Sequence, residues 1–459
     1  MTDAVDGRAD LPTRTPLTTE LRLLAVGLVL GVVLVAFEST ALITALPTIT
    51  DDLGGDSLYG VSLAVYTLAN MVALIVAGQV ADRRGPTRTF LVSIGIFVIG
   101  LLVAGAANSM WIVVAGRTLQ GIGSGGFSPI AYMLVKRAFP SDRQPMMYVF
   151  LSAGWVVPSL VAPVFSGIVT EQFGWRWVFF MIVPLAVAVG VVASIPMRHH
   201  RAVPGADDSP SLTAPAVGAA IGVGVLLLAL ASGTPWEVIV GVAIGGSLAV
   251  PSLRRLLPRG FFTARRGYPA VLTVRVLAAA TFIGVDSFLP LAADRIHGAS
   301  PMVQGFVIVG AALSWTGGQV IAARRPAARP ERMVGSGFAL LAASTVLVAP
   351  VLWSAWPLWA TFIGWAIGGF GMGVLYNPTT VVAMGYADDG REGLVSGQVR
   401  LTDALGFSMM YGIGGAVVAV ADRGDITLRW ALAINFALSF GCAALGLVAS
   451  RQVSARSTG

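Results

Sequence analysis

The sequence predicts an all-α integral membrane protein: two pseudo-symmetric six-helix bundles with two further helices inserted between them. Three observations carry that reading. The 459 residues are 56% hydrophobic and only 12% charged, and their mean hydropathy is +0.80, outside what a water-soluble domain of this length tolerates. Charged and turn-forming residues interrupt the apolar runs at intervals of one bilayer-crossing helix, about 20 residues. Two short motifs recur 240 to 249 residues after their first appearance.

Helices are the expected element because backbone polar groups in lipid must bond to one another. Reading from the first residue, the polar punctuation places them near 21–46, 58–81, 89–108, 110–135, 146–170, 176–196, 213–232, 236–252, 269–292, 301–323, 333–353, 356–380, 394–420 and 428–450. That gives fourteen, or twelve as the alternative. The weakest is the eighth, "EVIVGVAIGGSLAVP", short and Gly-rich enough to be re-entrant. Residues 1–20, with Asp3, Asp6, Asp10 and Glu20, read as a polar cytoplasmic tail before an uncleaved first helix, since the apolar run is too long for a signal-peptide core.

The formal charge of +7 and pI near 10.1 need no nucleic acid. Basic residues gather in alternate loops, at 83–88, 136–143, 254–266 and 324–332, while the opposite side receives Arg176, Arg295, Arg423 and Arg429. This is the positive-inside asymmetry, and it places both termini in the cytoplasm of a multi-pass plasma-membrane protein. A single cysteine, Cys442, excludes an intrachain disulfide. His199, His200 and His297 lie outside the spans, so no metal or other cofactor is expected. There is no G-x-x-x-x-G-K-[ST] loop, so ATP is not the energy source.

The repeat sets the organisation. "GQVADRRGPTR" from Gly78 is echoed by "GQVIAARRPAAR" from Gly318, and "GIGSGGFSP" from Gly121 by "GFGMGVLYNP" from Gly369. Both pair a span with the one eight later, so two helices separate the halves. The expected divisions are a bundle at 21–196, a linker at 197–212 ("MRHHRAVPGADDSPSL"), two inserted helices with a basic loop at 213–268, a second bundle at 269–450 and a tail at 451–459. In the second loop copy, Ala322 stands where Asp82 aligns.

With these residues in hand, the chain resembles the major facilitator superfamily, and within it the fourteen-helix drug:proton antiporter branch. The loop motif Gly-x-x-x-Asp-Arg-x-Gly-x-x-(Arg/Lys) is matched by Gly78, Asp82, Arg83, Gly85 and Arg88; "ESTALITALP" from Glu38 echoes the first-helix pattern; Arg117, Gln120, Gly121 and Gly123 meet the fourth-helix pattern. The fifth-helix antiporter pattern survives in degenerate form as "APVFSG", which keeps Pro163 and Gly167. In span thirteen, Arg400 and Asp403 stand where the branch tends to carry Asn and Arg. The resemblance implies conformational gating by the loop motif and by Pro163 and Gly167.

An ionisable group inside a span costs about 2.5–3.5 kcal/mol on insertion scales and is a functional candidate by default. Glu38 and Arg117 fall at matching depth in antiparallel spans. Burial favours a neutral acid and a nearby guanidinium favours the carboxylate, so such a pair can switch as a cavity opens. Glu38 is the expected proton carrier and Arg117 its tuner; the plainer reading is a static ion pair. Asp286, at the pseudo-symmetric depth of Glu38, is a second proton or cation site, or a structural cap. Arg400 and Asp403, three apart on one helix, pair structurally or form an inner gate, and Arg275 is expected to snorkel. Asp294, Arg295 and His297 read as an outer loop.

Phe37, Trp155, Phe306, Trp315, Tyr376, Met409, Met410 and Tyr411 suit an adaptable apolar cavity, with core packing or lipid contact as the alternative for each; Asn377 is a polar candidate. The function expected is proton-coupled secondary export of amphiphilic drugs, cationic ones or others, by a monomer. The alternatives are export of one endogenous metabolite or lipid and, more remotely, a membrane receptor or enzyme.

Overall fold

The computed structural model describes residues 15–54, 58–202, 210–232, 235–299, 301–324, 329–422 and 426–455. The greater part of the predicted N-terminal tail, the centre of the linker, Arg423, the last four residues and the side chain of Phe306 lie outside these. The first half comprises α1 (Thr19–Leu53), α2 (Tyr59–Arg84), α3 (Pro86–Gly105), α4 (Met110–Ser124), α5 (Phe127–Ala138), α6 (Gln144–Ala153), α7 (Val156–Phe173) and α8 (Arg176–Met197). A hairpin of α9 (Thr213–Ser232) and α10 (Pro235–Leu256) follows. The second half contains α11 (Tyr268–Asp286), α12 (Leu289–His297), α13 (Pro301–Arg324), α14 (Pro330–Val348), α15 (Leu358–Gly385), α16 (Glu392–Asp422) and α17 (Leu428–Ser450).

Three of the predicted spans are broken: α4 from α5 at Gly125–Gly126, α6 from α7 at Gly154–Trp155, and α11 from α12 at Ser287–Phe288. The cap residues at these breaks keep right-handed helical torsions, so the chain bends without reversing. Counted this way the described helices make fourteen segments. Twelve are long and apolar enough to cross a membrane by length and composition. The other two are α4–α5, which carries Arg117 and Gln120, and α13; they pack within the bundles, against α2 and α3 and against α15 respectively. The eighth segment is a full 22-residue helix, not a re-entrant loop. The residues read as an outer loop, Asp294, Arg295 and His297, instead extend the ninth segment as α12, where the His297 ring meets the Val351 carbonyl at 2.8 Å.

Apart from the short α4, α5 and α12, most of these helices are apolar around much of their circumference, so an amphipathic stripe does little to set their packing. Small residues set it. On α3 and α4, a methyl group on Gly100 would meet Gln120 at 2.7 Å and one on Gly116 would meet Ala104 at 2.8 Å; on α14 and α15, one on Gly337 would meet Leu375 at 2.6 Å and one on Gly371 would meet Leu340 at 2.7 Å. Backbones approach this closely only where side chains are absent. The helix pairings repeat: α1 packs on α7 and α8 as α11 packs on α16 and α17, and α3 on α4 and α8 as α14 on α15 and α17. The sequence repeat is therefore a repeat of architecture. One buried apolar core is drawn mainly from residues 24–197 and a second mainly from 216–453. The hairpin sits at the seam, α9 against both α2 and α16, with α10 packed on α9.

Tight connections hold the register. Gly85 (φ 88°) and Gly174 (φ 89°) adopt left-handed torsions that a side chain would strain, and join α2 to α3 and α7 to α8. Thr18 and Thr427 cap α1 and α17 through their hydroxyls. At the ends of α1 and α8, the carboxylate of Asp52 accepts from Trp175 Nε1 at 3.0 Å and from Arg176 at 3.2 Å. These two bonds hold its pKa below the ordinary carboxylate value.

Candidate functional site

Each half buries one arginine–carboxylate pair, and in each the arginine lies 4.1 Å over a tyrosine ring: Arg117 over Tyr66 and Arg275 over Tyr376. In the first half, Arg117 Nη1 donates to both Glu38 Oε1 and Gln120 Oε1, joining α1 to α4. Gln120 is fixed in turn by donating to the Gly100 carbonyl at 3.2 Å, and the Tyr66 and Ser39 hydroxyls share a hydrogen bond of 3.2 Å. Asn70 donates to Ser124 at 2.9 Å. Glu38 is 1% exposed and its Oε2 has no hydrogen-bond partner among the described residues. One oxygen is held and the other is not.

The second pair also leaves one carboxylate oxygen, Asp403 Oδ1, without a hydrogen-bond partner among the described residues, and differs in how the other oxygen is held. Asp403 Oδ2 accepts from Arg275 at 2.7 Å, from Tyr376 at 2.7 Å and from Arg400 at 3.1 Å. Arg275 also donates to Thr380 at 2.8 Å and Thr379 at 3.2 Å. It is fully buried rather than snorkelling: seven residues into α11, its guanidinium finds an anion, two hydroxyls and a ring instead of water. The predicted pairing of Arg400 with Asp403 exists as one edge of this larger cluster, and Arg400 also lies 5.8 Å from the Tyr132 ring of the first half. Two cations on one anion make a fixed electrostatic joint. The pairs also differ in depth, since Arg117 is seven residues from the end of its helix on the side away from the arginine-rich loops and Arg275 seven from the end on the arginine-rich side.

An aromatic wall lies between Asp286 and this second cluster. Trp365 Nε1 donates to Asp286 Oδ1 at 2.8 Å, Trp365 stacks on Phe282 at 5.0 Å, Phe282 meets Trp315 edge-on at 5.0 Å, and Trp315 meets Tyr376 at 5.3 Å. Asp286 has no salt-bridge partner among the described residues.

The opening loop motif closes the arginine-rich side. Asp82, 3% exposed, accepts the backbone N–H groups of Gly393 and Leu394, each at 2.9 Å, so a carboxylate from α2 caps α16 of the other half. Arg137 bridges Asp82 at 2.7 Å and Glu392 at 2.6 Å. A negative group at a helix N-terminus also meets the positive end of the helix dipole. Gly78 faces the Gly393 carbonyl so directly that a methyl on either glycine would collide with it or its partner. Asn377 donates to the Pro145 carbonyl at 2.8 Å, Ser396 to Pro129 at 2.8 Å and Gln319 to Ser152 at 2.8 Å. Among the described residues, the hydrogen bonds between the halves thus gather on this side.

Not every predicted residue joins these clusters. Asn377 belongs to the seam instead of a cavity wall. Trp155, Met409 and Tyr411 are exposed, while Met410 is buried. Phe37 packs on Phe165 at 5.2 Å. Arg83 is half-buried and Arg88 exposed. Pro163 lies inside α7, and a methyl on Gly167 would meet nothing within 4 Å, so close packing explains no role for that glycine. Ser166, where the family pattern has glycine, donates to the Ala41 carbonyl at 2.6 Å and ties α7 to α1. Sequence reasoning missed Tyr66, Arg137, Arg275 as a paired residue, Phe282, Trp365 and Glu392. Only Glu392 left a local signal, an acid in the first turn of α16.

Two six-helix halves with buried ion pairs between their helices and a closure on one face define a multi-pass membrane transporter. The Major Facilitator Superfamily profile matches residues 28–397, and the chain belongs to that family. A probable multidrug-efflux transporter of Mycobacterium tuberculosis (strain H37Rv) is 28% identical over 449 residues, covering 93% of each chain. Multidrug resistance protein 3 of Bacillus subtilis is 30% identical over 175 residues, 38% of this chain and 34% of that one. Among solved structures, the human organic anion transporter MFSD10 (TETRAN) shares the fold with a TM-score of 0.71 at 16% identity, over 95% of this chain and 100% of that one.

Proposed function

We propose that this transporter is a proton-coupled antiporter exporting amphiphilic compounds across the plasma membrane by alternating access. The observation that carries the reading is Glu38: a buried carboxylate held by a single guanidinium through one oxygen, its other oxygen having no partner among the described residues, whereas Asp403 is held by three donors. When the halves move, Arg117 can shift its bond toward Gln120 and release Glu38 to take a proton. Asp403, held by two guanidiniums and a phenol, is the fixed counterpart in the other half. Asp286 is a second proton or cation site, with a single donor at Trp365.

The aromatic cluster of Trp365, Phe282, Trp315 and Tyr376 is packed into the core of the second half in this state; parting of the halves would have to expose it before its rings could receive a ring-bearing substrate, with Asp286 at one end for a cationic group. The arginine-rich face is cytoplasmic by the positive-inside rule, so both termini are cytoplasmic and the Asp82 latch closes the inner side. The working unit is the monomer, since both six-helix halves belong to one chain. Names among the relatives, multidrug efflux first, support export of drugs. One relative of Aspergillus aculeatus, 31% identical over 182 residues, is named as a biosynthesis-cluster transporter, which favours a single endogenous product as the second reading.

Proteoliposomes given an imposed pH gradient test the coupling. Gradient-driven efflux of a panel of amphiphilic dyes should be lost in Glu38→Gln while downhill exchange persists. A Glu38→Gln protein that still responds fully to the gradient overturns the carrier role.

A further inference from the structure

A cleft of about 360 Å³ opens on the outer flank of the first half, between α2 and α3, with Ile122 of α4 and the first residue of α9, Thr213, at its borders. Its walls are apolar: Val76 and Val80 recur at helical spacing on α2, and Val92 and Ile96 on α3. Val92 and Ile122 are exposed, so the cleft faces the bilayer.

The end of the cleft is not apolar. Arg84, the last residue of α2, and Arg88, in the first turn of α3, both line it at the arginine-rich face and are exposed. Neither takes part in an ion pair among the described residues. The adjacent acid, Asp82, is turned to the opposite side of α2 and committed to α16 and Arg137. The start of α14 resembles that of α3, a proline followed two positions on by an arginine, but with Glu331 between Pro330 and Arg332. Among the described residues, Arg84 and Arg88 thus line the cleft with no acid paired to either.

We propose that this cleft holds one anionic glycerophospholipid, an acyl chain lying along α2 and α3 and the phosphate between Arg84 and Arg88. An apolar slot open to lipid fills with hydrocarbon, and two guanidiniums at its headgroup end select a negative phosphate over a zwitterionic one.

The test uses the purified, delipidated full chain in mild detergent, titrated with phosphatidylglycerol or phosphatidylcholine of identical acyl chains, and counts bound lipid by native mass spectrometry. A guanidinium near a lipid phosphate is worth about a five-fold gain, so one phosphatidylglycerol should be retained on the order of ten-fold more tightly than phosphatidylcholine. Arg84→Gln should weaken the first phosphatidylglycerol about five-fold, Val76→Trp should expel it by filling the slot, and Arg332→Gln should leave it unchanged. Equal retention of the two lipids, or an equal effect of Arg84→Gln and Arg332→Gln, overturns the proposal. So does displacement by glycerol phosphate, which lacks chains, at the lipid's own concentrations. If Val76→Trp does not fold, the comparison of Arg84→Gln with Arg332→Gln decides.

Discussion

The carboxylate of Asp82 accepts the backbone N–H of Gly393 at 2.9 Å, across 311 residues of sequence and from one half of the molecule to the other. A second bond to Leu394 and a bridge through Arg137 complete the contact. Because hydrogen bonds to a charged group contribute about 1.5–3 kcal/mol each, Asp82→Asn should weaken closure enough to populate the opened state. The expected result is transport reduced roughly ten-fold or more, with equilibrium substrate binding changed far less, measured by efflux and by fluorescence titration on the same preparation. Unchanged transport would remove Asp82 from the gate.

Arg137 couples Asp82 to Glu392, so their effects should not add. A double-mutant cycle of Asp82→Asn and Glu392→Gln, read by thermal unfolding, should give a coupling energy of about 0.5–3 kcal/mol. Strict additivity would mean the bridge contributes nothing in solution.

Glycines on the two sides of the first half make opposite predictions. Gly78→Ala drives a methyl into the Gly393 carbonyl and should impair transport. Gly167→Ala meets nothing and should stay within about 0.5 kcal/mol of the parent, although the family pattern gives Gly167 a gating role. A transport defect in Gly167→Ala with normal stability would restore that role by a route other than packing.

Removing Arg275 leaves Asp403 buried beside a single cation. Arg275→Ala should cost about 3–5 kcal/mol of stability, and Arg275→Lys should recover only part of it, because an ammonium cannot reach Asp403, Thr379, Thr380 and the Tyr376 ring from one position. Thermal unfolding in detergent measures both.

Asp52 supplies a pH dependence of known sign. Its folded pKa is below the ordinary value because Trp175 and Arg176 bond the ionised form, so its contribution is present above the ordinary carboxylate pKa and is lost as pH falls through the depressed one. Acidification should therefore lower the unfolding temperature slightly in the parent and leave Asp52→Asn without that component. An identical acid response in the two proteins would show that the clasp does not form.

The architecture was legible in the sequence because hydropathy and the repeats at Gly78/Gly318 and Gly121/Gly369 report on geometry directly. The buried pairs were legible in part. Glu38 and Arg117 stood out because charge inside an apolar run is costly, but Arg275 did not, since a residue seven positions from a helix end reads equally as snorkelling or buried until its neighbours are known. Phe282, Trp365 and Tyr66 left no trace, because in helices apolar on every face an aromatic residue carries no sign of which way it points. Arg137 meets Glu392 across 255 residues, and nothing local records such a contact.

The position of α9 also constrains the order in which the molecule can be built. It rests on α2, which leaves the ribosome before it, and on α16, whose first residue follows Ser232 by 160 positions. During synthesis the hairpin can dock on one side only, its other flank facing lipid until nearly the whole second half has been threaded. Chains stalled before Glu392 should therefore hold α9 and α10 loosely, and the seam should be among the last surfaces to exclude lipid as the protein matures.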